Sequence, residues 1–242
     1  MDREQYDIMY RAEGSHWWYR GMRRNTLALL QQFLAPGRTY SILDAGCGTG
    51  GTTEDLMRFG VVTGIDFSAD ALGYAASRGL RRLVCGSVER LPFADHTFDL
   101  VTSFDVIYHW GVADERAALA EFRRVLRPGG LALVRLPAFN WLRGAHDVAI
   151  HTQRRLTVGE PSARMREVGF EIVHATYANT MLFPLAVLKR TVDRFLPAAP
   201  ADLTVPPTPV NLAFEAVLSL EVPIARRVGL PVGLSTVVLG RA

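Results

Sequence analysis

The sequence predicts an α/β fold, a seven-stranded, mostly parallel sheet with helices on both faces and a cap formed by insertions after late strands. Three observations carry this. Between Thr39 and Arg135 short β-type runs alternate with helix-length segments, the pattern of βαβ units and a parallel sheet. At Ile42 to Gly51 an apolar run leads straight into a glycine-rich turn that opens a helix. Two further segments, 138–156 and 177–233, interrupt the alternation after late strands, so both can fold over the carboxyl edge of the sheet, where open α/β folds bind ligands.

The elements follow in chain order. A helix is expected from about His16 to Leu34, closed by Pro36-Gly37. Strands are expected at Ser41 to Leu43, Val61 to Ile65, Arg82 to Cys85, Phe98 to Thr102 and Leu131 to Val134. A helix around Pro161 to Val168 precedes a sixth strand at Phe170 to Ala175, and a seventh lies at Ser235 to Leu239. The segment 177–233 holds two helical patterns joined by the proline-rich stretch Pro197 to Pro209.

With 242 residues, about half of them apolar, the chain has the length of one full α/β domain with a cap. Its net charge of +3 comes from 27 basic and 24 acidic residues spread along the chain. No block of like charge reads as a nucleic-acid arm. Cys47 and Cys85 fit neither a disulfide framework nor a metal spacing. The N-terminal Met1-Asp2-Arg3-Glu4-Gln5 lacks the basic-then-apolar pattern of a signal peptide, so a cytoplasmic protein is expected. The apolar run Met181 to Leu188, interrupted by Pro184, is too short to span a bilayer. No transmembrane segment is expected; peripheral membrane contact and a homodimer stay open.

The strongest chemical signal is Ile42-Leu43-Asp44-Ala45-Gly46-Cys47-Gly48-Thr49-Gly50-Gly51. Glycines suit such a turn because a Cβ would block close approach of a ligand and because the backbone angles are demanding. The next strand ends at Asp66, where a carboxylate can accept hydrogen bonds from a ribose. A nucleoside-bearing cofactor follows. Gly46, Gly48 and Gly51 also satisfy GxGxxG, so the glycines alone fit a dinucleotide or S-adenosylmethionine. Asp44 separates the two: a carboxylate before the turn repels a pyrophosphate and attracts the ammonium of an amino acid.

Later segments extend the pattern. Gly86-Ser87-Val88-Glu89-Arg90-Leu91-Pro92-Phe93, Phe98-Asp99-Leu100-Val101 and Glu121 to Gly130 follow in order, and with the first motif they resemble the class I, Rossmann-like S-adenosylmethionine-dependent methyltransferases over residues 41–136. The resemblance implies an antiparallel last strand, the Asp44 to Gly50 turn (Asp44, Gly46, Cys47, Gly48, Gly50) around the methionine end, Asp66 on the ribose, Phe67 on one adenine face, and Ser87 and Val88 at the adenine edge. Ser87 departs from relatives that carry an acidic residue there. The stretch His16-Trp17-Trp18-Tyr19-Arg20-Gly21 resembles small-molecule methyltransferases whose first helix covers the cofactor, which adds Trp18 and Arg20 to the cofactor residues; an aromatic staple on the sheet is the alternative. The division implied is a helical cover at 1–38, a cofactor-binding core at 39–136 and cap elements at 138–156 and 177–233.

Phe104 to Trp110 follow the fourth strand, near the place the transferred methyl must occupy. Phe104 is assigned to the cofactor, and Tyr108 and His109 are either contacts or packed loop residues. Asp99 occupies a common structural position. The segment 146–155 gathers His146, Asp147, His151, Arg154 and Arg155; a histidine beside an aspartate can act as a general base, and the same residues match no metal-ligand spacing. His109, His146 and His151 are therefore the candidate bases, with Asp147 as the orienting carboxylate, and no metal is expected. The expected reaction is methyl transfer to a hydroxyl oxygen of a sugar, glycan or secondary metabolite. The alternatives are N- or C-methylation, a cofactor-binding protein without that reaction, and a dinucleotide oxidoreductase.

Overall fold

The structure, a computed structural model, describes residues 3–144, 147, 152–193, 205–227 and 229–242. Two helices lead, α1 (Arg3–Glu13) and α2 (Trp17–Phe33). The alternation then runs β1 (Tyr40–Ala45), α3 (Gly51–Leu56), β2 (Gly60–Asp66), α4 (Ala69–Ser77), β3 (Leu83–Cys85), β4 (Phe98–Phe104), α5 (Glu115–Val125) and β5 (Leu126–Pro137). After it come α6 (Gly159–Glu167), β6 (Glu171–Ala178), α7 (Phe183–Asp193), α8 (Thr208–Arg227) and β7 (Ser235–Arg241).

The seven strands form one sheet in the order β3-β2-β1-β4-β5-β7-β6. Strands β1 to β5 are parallel, and β7 runs antiparallel between β5 and β6. This is the predicted fold class, antiparallel last strand included. Side chains alternate between faces along each strand. Leu43, Val101, Ala132 and Val134 therefore join one core with Leu119 and Phe122 of α5 and Met165 of α6. Ile42, Leu100, Leu131 and Leu133 join the other with Met22 and Leu30 of α2 and Leu56 of α3. Burial on both faces explains why the central strands read as nearly continuous apolar runs.

Three differences from the sequence expectation have physical causes. Helix α1 was not predicted, because its single apolar stripe is narrow and much of its burial comes from Tyr6 and the carboxylate Glu13. Strand β5 starts at Leu126, ahead of the predicted Leu131: Leu126 pairs with Phe98 before a register shift, and Gly129 takes a φ of +77°, so Pro128-Gly129-Gly130 bends the strand without ending it. Strand β6 runs on to Ala178, which moves Tyr177 and Ala178 out of the predicted cap and into the sheet.

Asp99 lies at the amino end of β4, the edge of the sheet away from the glycine turn. It accepts hydrogen bonds from Ser41 N at 2.9 Å and from the guanidinium groups of Arg38 and Arg127 at 2.7 and 2.9 Å. Burial alone would raise its pKa, but the Ser41 N–H and Arg127 outweigh it and hold the carboxyl below its ordinary range. Its work is structural.

Helix α8 packs along α2. A Cβ on Gly21 would run into the Leu218 side chain, so the two axes approach closely only because position 21 has none. Beside this contact Arg20 and Arg24 pair with the buried Glu215 at 3.1 and 2.7 Å. Substitution Gly21→Val is expected to destabilise the protein by about 1–3 kcal/mol, the scale of core overpacking, as a lowered urea midpoint. An unchanged midpoint would show that the α2–α8 contact is loose.

Candidate active site

The order of strands reverses between β1 and β4, and ligands of open α/β sheets bind outside the carboxyl ends at such a point. A cavity of about 830 Å³ lies there. Asp44, Gly46, Cys47, Gly48, Asp66, Phe67, Ser87, Val88, Phe104 and Trp18 all line it, as the sequence predicts. Sequence and structure thus bring ten of the expected cofactor residues to one wall.

Two predicted residues do not reach it. Gly50 is required by the turn, with a φ of +86° ahead of α3, but a Cβ there would point at Leu80 and Ala75, into the packing against α4. Arg20 is the other correction. Two positions along a helix from Trp18 is about 200° around the axis, and that places Arg20 on the α8 side, paired with Glu215.

Three carboxylates surround the glycine turn. Asp44, 2% exposed, accepts hydrogen bonds from Thr53 Oγ1 at 2.6 Å and Thr102 Oγ1 at 2.8 Å. Burial pushes its pKa up to about 6, against the pull of those hydroxyls and of Arg135. Asp66 accepts from Gly48 N and Ser68 N, both at 2.9 Å, and burial raises its pKa as well. Glu13, from α1, accepts from Thr49 Oγ1 at 2.6 Å and from Arg78 at 2.8 Å. Burial keeps its pKa above the usual value despite both partners. Arg78 also donates to the Thr49 carbonyl at 2.8 Å and the Tyr10 carbonyl at 3.1 Å, and it stacks on the Tyr10 ring. The guanidinium therefore sews α1, the glycine turn and α4 together. A Cβ on Gly51 would lie 2.6 Å from the Glu13 carboxylate, which gives this glycine a packing reason of its own.

A second ion pair closes the β4–β5 side. Arg135 Nε and Nη2 donate to Asp105 Oδ2 at 3.0 and 2.6 Å, while Asp105 N donates to the Arg135 carbonyl at 2.9 Å. Asp105 holds a φ of +59° to do so. The guanidinium lies over the rings of Trp18 and Phe104. Tyr19 also lines the cavity; burial, reinforced by Glu13 and Asp105, raises the pKa of its hydroxyl.

Beyond these groups the cavity is walled by Val112, Leu142, Leu182, Leu185, Ala186 and Phe214, which come from the predicted cap elements and from the loop after β4. His109 also lines the cavity, half-buried, with its ring stacked on Tyr108 at 4.7 Å. His146 and His151, the other candidate bases, lie outside the described residues. Asp147 is described and lines the cavity. Its oxygens accept from Arg155 Nε at 2.8 Å, Arg155 Nη2 at 3.2 Å and Gly144 N at 2.8 Å. Burial alone would raise its pKa, but Arg155 outweighs it and holds the carboxyl low. Asp147 therefore ties its loop to Arg155.

Residues 43–134 match the family described as a methyltransferase domain. The demethylmenaquinone methyltransferase of Mycobacterium bovis is 40% identical over 114 residues, 46% of this chain and 45% of that one. A sterol 24-C-methyltransferase of Gibberella zeae is 30% identical over 165 residues, 58% of this chain and 41% of that one. The match to the methyltransferase-domain family is confined to residues 43–134, the stretch from β1 to β5. The chain spans under half the length of these two curated relatives. Among solved structures, a Thermotoga maritima protein described as a possible histamine N-methyltransferase shares the fold with a TM-score of 0.59 at 21% identity, covering 98% of each chain. The cyclase SpnF shares it with a TM-score of 0.61 at 20% identity, covering 97% of this chain and 91% of the other. The methyltransferase family and its Rossmann-like fold use S-adenosylmethionine.

The residues that line the cavity fit that cofactor. Asp44 is a buried carboxylate on the cavity wall whose two hydrogen bonds come from neutral hydroxyls, so it keeps a full negative charge to offer an ammonium. Asp66 holds each oxygen with one backbone donor and retains lone pairs for ribose hydroxyls. Phe67, 64% exposed, presents a free ring face. Ser87 Oγ accepts from Glu89 N at 3.2 Å, which leaves its hydroxyl proton for donation at the adenine edge. Glu13, Arg78, Tyr19, Asp105 and Arg135 were not picked out by the sequence reading. The available signals were weak: a carboxylate at the end of an unrecognised helix, and a strand-end Phe104-Asp105 against a lone Arg135.

Two outcomes are expected. Asp66→Ala should weaken cofactor binding by about 1.5–3 kcal/mol, the scale of a lost charge-assisted hydrogen bond, measured by calorimetric titration of S-adenosylhomocysteine. Because Asp44 carries a pKa raised to about 6, it is ionised above that pH and receives a cationic ammonium there. Acidification through pH 6 protonates it, and affinity should fall by up to about tenfold per pH unit. A dissociation constant that stays flat from about pH 7.5 to about pH 5 would remove Asp44 from the ammonium site.

Proposed function

We propose that the protein transfers the methyl group of S-adenosylmethionine to a hydroxyl oxygen of a small, largely apolar acceptor. The observation that carries this is the single cavity shared by the cofactor wall around Asp44 and Asp66 and the aliphatic and aromatic wall of Val112, Leu142, Leu182, Leu185 and Phe214. When bound, the cofactor supplies an already activated sulfonium methyl. The chain's part is then chiefly alignment and exclusion of water. Asp44 and the glycine turn hold the amino-acid end, Asp66 the ribose, and Phe67 with Val88 the adenine. Phe104, fixed by its contact with Arg135, closes the inner wall where the two halves of the cavity meet.

Of the acceptor classes the sequence suggests, the polyketide-like secondary metabolites fit this wall better than sugars. A sugar would set its hydroxyls against leucines, where they lose water and gain no partner. The curated relatives named for a sterol and for demethylmenaquinone support an apolar acceptor in the same direction. The sterol relative's name specifies carbon as the methylated atom, which favours C-methylation as the second reading. The late segments 138–156 and 179–233 set acceptor choice on either reading.

An unactivated hydroxyl needs a base, and His109, which lines the cavity with its ring stacked on Tyr108, is the candidate base among the described residues. The test is production of S-adenosylhomocysteine with a panel of phenolic and polyketide hydroxyl acceptors alongside sugars, with the methylated atom located by NMR of the product. Turnover confined to sugars, or none at all, defeats the proposal, and a carbon-bound methyl moves it to the second reading. His109→Ala is expected to lower turnover by roughly a hundredfold or more, the contribution of a positioned general base, with S-adenosylhomocysteine affinity unchanged. Near-wild-type turnover would assign the proton to another group.

A further inference from the structure

One polar group on the cavity wall has no role in the arrangement described so far. Asn179 follows β6 directly, is fully buried, and lines the cavity. Among the described residues neither Nδ2 nor Oδ1 has a hydrogen-bond partner. A buried amide without partners is costly and rare, and here a second cost is added, since Asn179 holds a φ of +61°.

The surroundings enforce that geometry. Glu221, fully buried on α8, accepts from Asn179 N at 2.5 Å, Thr180 N at 2.7 Å and Met181 N at 3.2 Å. It also accepts from Asn25 Nδ2 of α2 at 3.1 Å. One carboxylate thus fixes the turn between β6 and α7 and spends no part of itself on the Asn179 side chain. The amide is held at the cavity wall, buried, with both ends unpaired by any described residue.

Its position assigns it to the acceptor. Four strand intervals separate β1 from β6 in the sheet order, roughly 19 Å at the usual strand spacing. Asp44, Asp66 and Ser87, which serve the cofactor, sit on β1, on β2 and after β3, on the far side. Leu182, Leu185 and Ala186 of the acceptor wall are the near neighbours of Asn179 along the chain.

We infer that Asn179 is the specificity determinant for the acceptor, and that it reads two adjacent oxygens, one bearing a proton and one accepting, as in a catechol or an α-hydroxy ketone. Oδ1 accepts from the hydroxyl and Nδ2 donates to its neighbour, which satisfies both ends of the amide at once. This rests on the proposed apolar acceptor and adds the polar feature that an apolar wall alone cannot select. A site built to hydrogen-bond a substrate group rejects the analogue lacking it, because its own buried groups are then left unpaired.

The test needs no turnover, so it fails separately from the methyl-transfer reading. The protein saturated with S-adenosylhomocysteine is titrated with 2,3-dihydroxynaphthalene and with 2-naphthol. The wild type is expected to bind the diol at least tenfold tighter. Asn179→Gly removes the amide while tolerating the positive φ, and it should bind the two probes alike with unchanged S-adenosylhomocysteine affinity. Asn179→Ala provides the same comparison on a strained backbone. Equal binding of both probes by the wild type, binding of neither, or undiminished discrimination in Asn179→Gly each overturns the inference, as does a loss of cofactor affinity in that variant, which would place the amide in the cofactor half.

Discussion

The glycine turn sits among buried negative charge, and much of the fold's layout is the compensation of that charge. Asp44, Asp66 and Glu13 converge on residues 46–51 with little access to water. Each is stabilised differently: Asp44 by two threonine hydroxyls from α3 and β4, Asp66 by two backbone N–H groups, and Glu13 by Thr49 and Arg78. Taken together these partners draw α1, α3, α4, β2 and β4 around one turn. The result is a preorganised cation-favouring pole, in which the charges are oriented before any ligand arrives and little reorganisation is left for binding.

The core of this arrangement was legible because it is local. Strand, carboxylate, glycines and helix are contiguous between Ile42 and Leu56, and the second carboxylate ends the next strand, so periodicity and one motif place Asp44, Gly46, Gly48 and Asp66 together. Asp147 and Arg20 show where that logic stops. Both lie in polar segments that suggest chemistry, and both form ion pairs whose partners, Arg155 and Glu215, are fixed by packing. Glu13 and Asn179 were invisible for the converse reason. Nothing near Glu13 in the chain hints that Arg78 lies beside it, and a lone asparagine after a strand reads as an ordinary turn residue until Glu221 is seen gripping its backbone.

The two halves of the cavity also differ in how they are built. The wall around Asp44 and Asp66 stands on strand ends and the turns directly attached to them, while the aliphatic wall proposed for the acceptor is borrowed from α7, α8 and the loops after β4 and β5. The match to the methyltransferase-domain family ends at residue 134, one position before Arg135, and α7 and α8 lie wholly beyond it. Contacts such as Gly21 against Leu218 and Arg24 against Glu215 join α8 to α2, so the part beyond the family match is anchored on the helices that lead into the sheet.

That anchoring gives the exposed bend at Gly14 and Ser15 an influence out of proportion to its size. A protease that nicked the chain there would leave every strand intact and sever only the covalent path from α1 to α2. If α1 then drifted off, Arg78 would lose its 2.8 Å partner Glu13 and keep only the more distant Glu54 at 3.8 Å, and Thr49 would lose the carboxylate that orients it. Cleavage at a two-residue surface bend would thus dismantle the cofactor site from outside the sheet, and a bound cofactor, by holding the glycine turn in place, would slow it.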